Sequence, residues 1–122
     1  MKVLGYFEGT DPSVLTRVVL EGYETLPLSN GWDNHGKHLT LLNPADNIAL
    51  VVGSLHKFVR LEDMSIFSAM LATVKAYDIP VVFVTPKGSH DKATKLITDK
   101  ELKYKFVDPA DLAEVILADL KG

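Results

Sequence analysis

Apolar and polar positions alternate along this chain in a repeating cycle: a short apolar run, a polar loop, then apolar residues at helical spacing. Five runs read as strands: Val3–Phe7, Thr25–Leu28, Ile48–Val52, Val81–Val84 and Tyr104–Val107. The unbroken run Ile48-Ala49-Leu50-Val51-Val52 predicts burial on both faces, as in a parallel sheet with helices on either side. Between the runs, Val14, Leu15, Val18 and Val19 recur at helical spacing, as do Phe67, Met70, Leu71 and Val74. Ala93, Leu96 and Ile97 give a shorter helix, and Leu112, Val115, Ile116 and Leu120 a closing one. Asp11-Pro12 and Asp108-Pro109 mark two helix starts, because aspartate caps the first turn and proline there loses no needed hydrogen bond.

One segment has two readings. Ser29-Asn30-Gly31 could be a hairpin tip, which would make Lys37 to Leu42 an antiparallel strand. It could equally lead into a helix from Asp33 to Asn43, stopped by Pro44. Continuing the strand–helix alternation favours the helix. The result is a single α/β domain over 1–122, a doubly wound (βα)5 fold with a five-stranded parallel sheet in the order 2-1-3-4-5.

Composition narrows the chemistry. No residue is cysteine, so thiolate catalysis, disulfides and sulfur-ligated zinc are excluded. The net charge is −3, and 13 basic residues are scattered without a run, which argues against nucleic-acid binding. No stretch approaches the ~20 apolar residues of a membrane span, and Met1-Lys2 lead directly into a strand without a signal-peptide layout. The expectation is a cytoplasmic protein with no membrane contact.

In a parallel sheet, ligands gather beyond the carboxyl ends of the strands. Taken with their neighbours, the residues there resemble the receiver domain of two-component response regulators, over nearly the whole chain. Asp11-Pro12-Ser13-Val14 resembles the start of that family's first helix. Gly22-Tyr23-Glu24 with Ser29-Asn30-Gly31 resembles its second strand and the entry to its second helix, which also favours the helical reading of 33–43. Ile79 to Thr85 resembles the fourth strand with its terminal switch hydroxyl. Lys105 to Leu112 resembles the fifth strand and last helix, with Lys105 on the family's phosphate-pairing lysine and Phe106 in place of the usual proline.

The resemblance implies a flavodoxin-like fold and also a defect. Receiver chemistry needs an aspartate at the end of the middle strand to attack a phosphoryl donor, and a pair of acids to hold Mg²⁺. Here Val51 takes the phosphoacceptor position, or Val52 if the register slips by one, and Gly9 and Thr10 stand where the acids would be. Glu8 and Asp11 flank that spot. Ser54 lies two or three positions past the expected strand end, so its hydroxyl would aim elsewhere. The implied protein is a pseudo-receiver: not an enzyme, without cofactor or bound metal, with Thr85 and Lys105 as remnants of a switch. It would act on a protein partner or as a homodimer through 89–121, where Lys92, Lys95, Lys100, Glu101 and Asp111 supply mixed charge.

A rival reading is a small-molecule sensor. The emptied rim, with Glu8, Thr10, Asp11, Ser54 and His56, could form a pocket, and Thr85 and Lys105 would suit an anionic metabolite. Trp32 could also line it, or anchor a partner. His35, His56 and His90 fall in loops of the same rim but lack the spacing of a metal motif. A third reading is an enzyme of nucleotide or sugar chemistry on the same doubly wound sheet; the absence of a glycine-rich phosphate loop argues against it, though the fold alone does not exclude it.

Overall fold

The computed structural model describes residues 2–122. Six parallel strands form one sheet: β1 (Val3–Phe7), β2 (Glu24–Ser29), β3 (Lys37–His38), β4 (Ile48–Ser54), β5 (Val81–Val84) and β6 (Tyr104–Val107). Four helices accompany them: α1 (Pro12–Leu20), α2 (Met64–Ala76), α3 (His90–Thr94) and α4 (Leu112–Lys121).

The strands are buried from both sides, which explains their unbroken apolar runs. Leu4, Leu50, Val52, Val82 and Val107 point to one face and pack under Val14 and Val18 of α1 and Leu112, Ile116 and Leu120 of α4. Phe7, Val51, Val81 and Phe83 point to the other, under Phe67, Met70 and Val74 of α2. Side-chain alternation along each strand separates the two cores. The fold is α/β with helices on both faces of the sheet.

Two expectations need correction. The sheet has six strands and not five, and its order is β3-β2-β1-β4-β5-β6 and not 2-1-3-4-5; the difference is the edge strand β3. That strand comes from the ambiguous segment, which is neither a helix over 33–43 nor an antiparallel strand. Lys37 and His38 run parallel to β2, opposite Leu28 and Ser29, and a single 3-10 turn follows over Leu39–Leu41.

Local side-chain bonding explains the lost helix. The Asn30 Oδ1 accepts the backbone N–H groups of Trp32 (3.1 Å) and Asp33 (2.8 Å). The Ser29 hydroxyl accepts from the Gly31 N–H at 3.1 Å and donates to the Asp33 carbonyl. Short polar side chains that bond their own backbone compete with helix hydrogen bonds. Gly36 completes the turn at φ +78°, and a Cβ there would lie 2.3 Å from the Pro27 carbonyl oxygen. Only glycine fits that bend.

The middle strand is also longer than its apolar run. Gly53 and Ser54 continue β4, pairing with Phe83 and Val84 of β5. Glycine weakens a strand unless something must come close to the backbone. Here the Phe7 and Phe58 rings do: a Cβ on Gly53 would meet Phe7 Cδ2 at 2.8 Å and Phe58 Cε2 at 3.0 Å. Those rings are edge-to-face at 4.6 Å, and Phe58 meets Phe83 at 4.8 Å, which makes a firm aromatic floor under the carboxyl ends of the strands. Among the described residues no helix is long and apolar enough to cross a membrane.

Candidate functional site

β1 and β4 are neighbours, but the chain leaves them in opposite directions, toward β2 and β3 on one side and β5 and β6 on the other. The order therefore reverses between β1 and β4, and a crevice opens beyond their carboxyl ends. A hollow of about 150 Å³ occupies it. Gly9, Thr10 and Asp11 from the β1–α1 loop and Ser54 from the end of β4 form its polar side. Val84, Pro109 and Leu112 form its apolar side.

Each polar group has a definite state. The Thr10 hydroxyl donates to the Phe7 carbonyl at 2.7 Å, leaving its oxygen lone pairs free to accept. Asp11 caps α1: its Oδ1 accepts the Ser13 N–H and the Ser13 hydroxyl, each at 2.9 Å. The Ser54 hydroxyl has no partner among the described residues and makes no cap bond to the turn that follows it. At the second helix facing the crevice, the Asp108 carboxylate accepts from Ala110 N–H (2.9 Å) and Lys87 N–H (3.1 Å). These two donors, Ala110 first, hold its pKa below the usual aspartate value.

Of the five residues expected to form a pocket, the structure thus brings together Thr10, Asp11 and Ser54. Glu8 and His56 are exposed at the rim and do not line the hollow. Ser54 is placed differently from the expectation: it is the last residue of β4 and faces the crevice.

Val51 is not at the strand end. It lies three residues inside β4, fully buried in the core with Phe7, Phe58 and Phe83. The switch-like pair does not converge either. Thr85 follows β5, but its hydroxyl turns back to donate to the Phe83 carbonyl at 3.2 Å. Its own carbonyl lies 2.7 Å from the His90 Nε2. Lys105 sits opposite Val82 in the β5–β6 register, three residues short of the level of Thr85. At about 3.3 Å per residue, that is roughly 10 Å from the rim. Its ammonium pairs with Asp119 of α4 at 3.0 Å. A larger hollow of about 450 Å³ lies there, beside Leu50, Val82, Lys103, Lys105 and Asp119, away from the crevice.

A polar clasp beside the crevice went unread in the sequence. Asn30 is fully buried, and its Nδ2 donates to the Lys57 carbonyl at 2.8 Å. Lys57, in the turn after β4, pairs with Asp33 at 2.8 Å. The clasp ties the loop after β2 to the loop after β4. The signal was present in Ser29-Asn30-Gly31, a sequence rich in turn formers. Trp32 stands beside this clasp under the Arg60 guanidinium, 5.6 Å from ring centroid to charge, and not in the hollow.

Three of the four histidines, His35, His38 and His90, make local contacts. His35 Nδ1 lies 3.1 Å from the Leu28 carbonyl with its ring edge-on to Tyr6, and His38 Nδ1 accepts from the Thr40 N–H at 3.2 Å. Among the described residues no three His, Asp or Glu side chains are gathered to hold a metal ion. The comparisons add no relative: no family model, no curated protein and no solved structure matches this chain.

Proposed function

We propose that this chain is a non-catalytic binding domain whose ligand is a small molecule held at the switch-point crevice. The observation that carries this reading is the hollow where the strand order reverses, lined by Thr10, Asp11 and the unpartnered hydroxyl of Ser54. Polar groups converging on an apolar wall are the common form of such sites. Binding over catalysis is supported by a lining that holds no histidine or lysine beside the Ser54 hydroxyl and whose one carboxylate, Asp11, is engaged in capping α1. At about 150 Å³ the hollow is smaller than a drug-sized site, so the ligand is compact.

The test is thermal denaturation against a panel of compact metabolites, with Ser54→Leu as a filled-crevice control. A ligand of the native state alone raises the Tm, by about 2.7 kcal/mol of stabilisation at a hundredfold excess over Kd. The reading holds if a compound stabilises the wild type and not Ser54→Leu. Equal shifts in both proteins place the ligand elsewhere and end it.

A second reading is a flavodoxin-like, receiver-like signalling module working without phosphorylation through 89–121. The exposed Lys92, Lys95 and Lys100 favour it: none has an ion-pair partner among the described residues, which suits an exchangeable polar contact. The inward hydroxyl of Thr85 and the distance of Lys105 from the rim speak against a phosphate-type switch within it. Capture of a partner from the host that is lost when these three lysines are reversed to glutamate would support this second reading; capture unaffected by that reversal would oppose it.

A further inference from the structure

Resting on the crevice as the binding site, we infer that its ligand is a small protonated amine with a short apolar body, and not an anion. The first ground is the closure of the helix-start donors. A helix N-terminus ordinarily attracts anions through its free N–H groups. Two helix starts face this crevice, and both are already closed. At α1, Pro12 has no N–H, Asp11 Oδ1 takes the Ser13 N–H at 2.9 Å, and the Val14 N–H goes to the Asp11 carbonyl at 3.1 Å. At the turn leading into α4, Pro109 has no N–H, Asp108 Oδ1 takes the Ala110 N–H at 2.9 Å, and the Asp111 N–H goes to the Asp108 carbonyl at 2.9 Å. Nothing in the first turns is left to bind phosphate or carboxylate.

The second ground is charge. A helix start carries about +0.5 of an elementary charge, so a capping carboxylate more than offsets it. Asp11 and the nearby Glu8 have no ion-pair partner among the described residues. Lys57 has its stem near Gly9, but its ammonium is held by Asp33 at 2.8 Å. Lys87 is drawn to Asp111 at 3.5 Å. The crevice is left with a negative balance.

The third ground is the match of groups. Asp11 Oδ2 has no partner among the described residues, Thr10 Oγ1 has spent its proton on the Phe7 carbonyl, and Ser54 Oγ is unpartnered. The lining residues thus offer acceptor oxygens, with the Ser54 hydroxyl able to donate as well, and an ammonium offers three N–H donors. Val84, Pro109 and Leu112 form the apolar wall for a short hydrocarbon body. A void of about 150 Å³ holds a body of benzene size, which sets the ligand's scale.

The test is a titration of the full chain, labelled with ¹⁵N, with n-butylammonium, n-butanol, butyrate and inorganic phosphate, followed by amide NMR. Butylammonium should give saturable shifts at Gly9, Thr10, Ser54 and Leu112, and butanol weaker ones. Butyrate and phosphate should leave those amides unmoved. Asp11→Asn keeps an N-cap of equal quality, so it should fold normally while weakening butylammonium binding about tenfold, the loss of one charge-assisted contact. Butyrate or phosphate moving the four amides as strongly as butylammonium would overturn the ligand class and leave the crevice reading standing. Unchanged affinity in Asp11→Asn would do the same. If none of the four probes moves the crevice, this inference fails, and amide mapping with a neutral and cationic fragment library decides separately whether the crevice reading fails with it.

Discussion

The Asn30 amide reaches across the rim of the sheet to the Lys57 carbonyl, 2.8 Å away, joining the loop after β2 to the loop after β4. The Lys57 stem lies near Gly9, so the clasp stands beside the loop that lines the crevice without lining it itself. All four hydrogen-bonding positions used by the fully buried Asn30 side chain lie within this clasp: Trp32 N–H, Asp33 N–H, the Asp33 carboxylate and the Lys57 carbonyl. Truncating it leaves part-buried backbone groups without partners. Asn30→Ala should destabilise the fold by about 1–3 kcal/mol, read as a lowered urea midpoint with an unchanged m-value. A midpoint equal to wild type would show that water replaces the clasp without cost.

Gly53 marks where the aromatic floor touches the backbone. Gly53→Ala places a methyl within 3.0 Å of both Phe7 and Phe58, and overpacking of this kind costs about 1–3 kcal/mol. Gly88 is the control: a Cβ there meets nothing within 4 Å, so Gly88→Ala should be neutral or slightly stabilising. Equal behaviour of the two variants in chemical denaturation would contradict the packing account.

Lys105 should have no part in the crevice. It is half exposed and pairs with Asp119, and exposed pairs contribute about 0–1 kcal/mol. Lys105→Ala should change the unfolding midpoint little and leave crevice binding intact. A loss of ligand binding in this variant would restore the lysine to the role suggested by the resemblance to receivers.

Acid should loosen two tethers. Asp46 is held below its usual value first by the Lys37 ammonium at 2.8 Å, then by the Asn43 N–H, and Asp108 by the Ala110 and Lys87 N–H groups. A carboxyl whose pKa is lower in the folded than in the unfolded chain stabilises above the unfolded value. That contribution is full well above 3.8 and is lost as the pH falls through the folded values beneath it. Urea midpoints should therefore fall below about pH 4, and less steeply in Asp46→Asn and Asp108→Asn than in wild type. Identical acid slopes in all three proteins would contradict the assignment.

Much of the fold was legible because its cause is local and repetitive. Runs such as Val81–Val84 are apolar throughout since both faces of the sheet are covered, and the Asp-Pro pairs at 11–12 and 108–109 cap turns by simple chemistry. What escaped depended on tertiary contact. Gly53 reads as a loop residue until the Phe7 and Phe58 rings lie against it, so β4 was cut short and Ser54 was misplaced. The segment from Asp33 to Asn43 has apolar spacing compatible with a helix, but Ser29 and Asn30 spend its first backbone donors on turns. Of the site, Thr10, Asp11 and Ser54 were legible as residues near one rim. Lys105 was not, because its place depends on strand register, which apolar runs do not encode at single-residue precision.

If the crevice is the binding site, ligands enter at the reversal of strand order and not at the larger hollow beside Lys105. Amide NMR mapping of a neutral and cationic fragment library on the labelled chain distinguishes the two places. Binding at the crevice gives saturable shifts grouped at Gly9 to Asp11, Ser54 and Leu112. Shifts grouped instead at Lys103 to Lys105 and Asp119, with the crevice amides still, would contradict it.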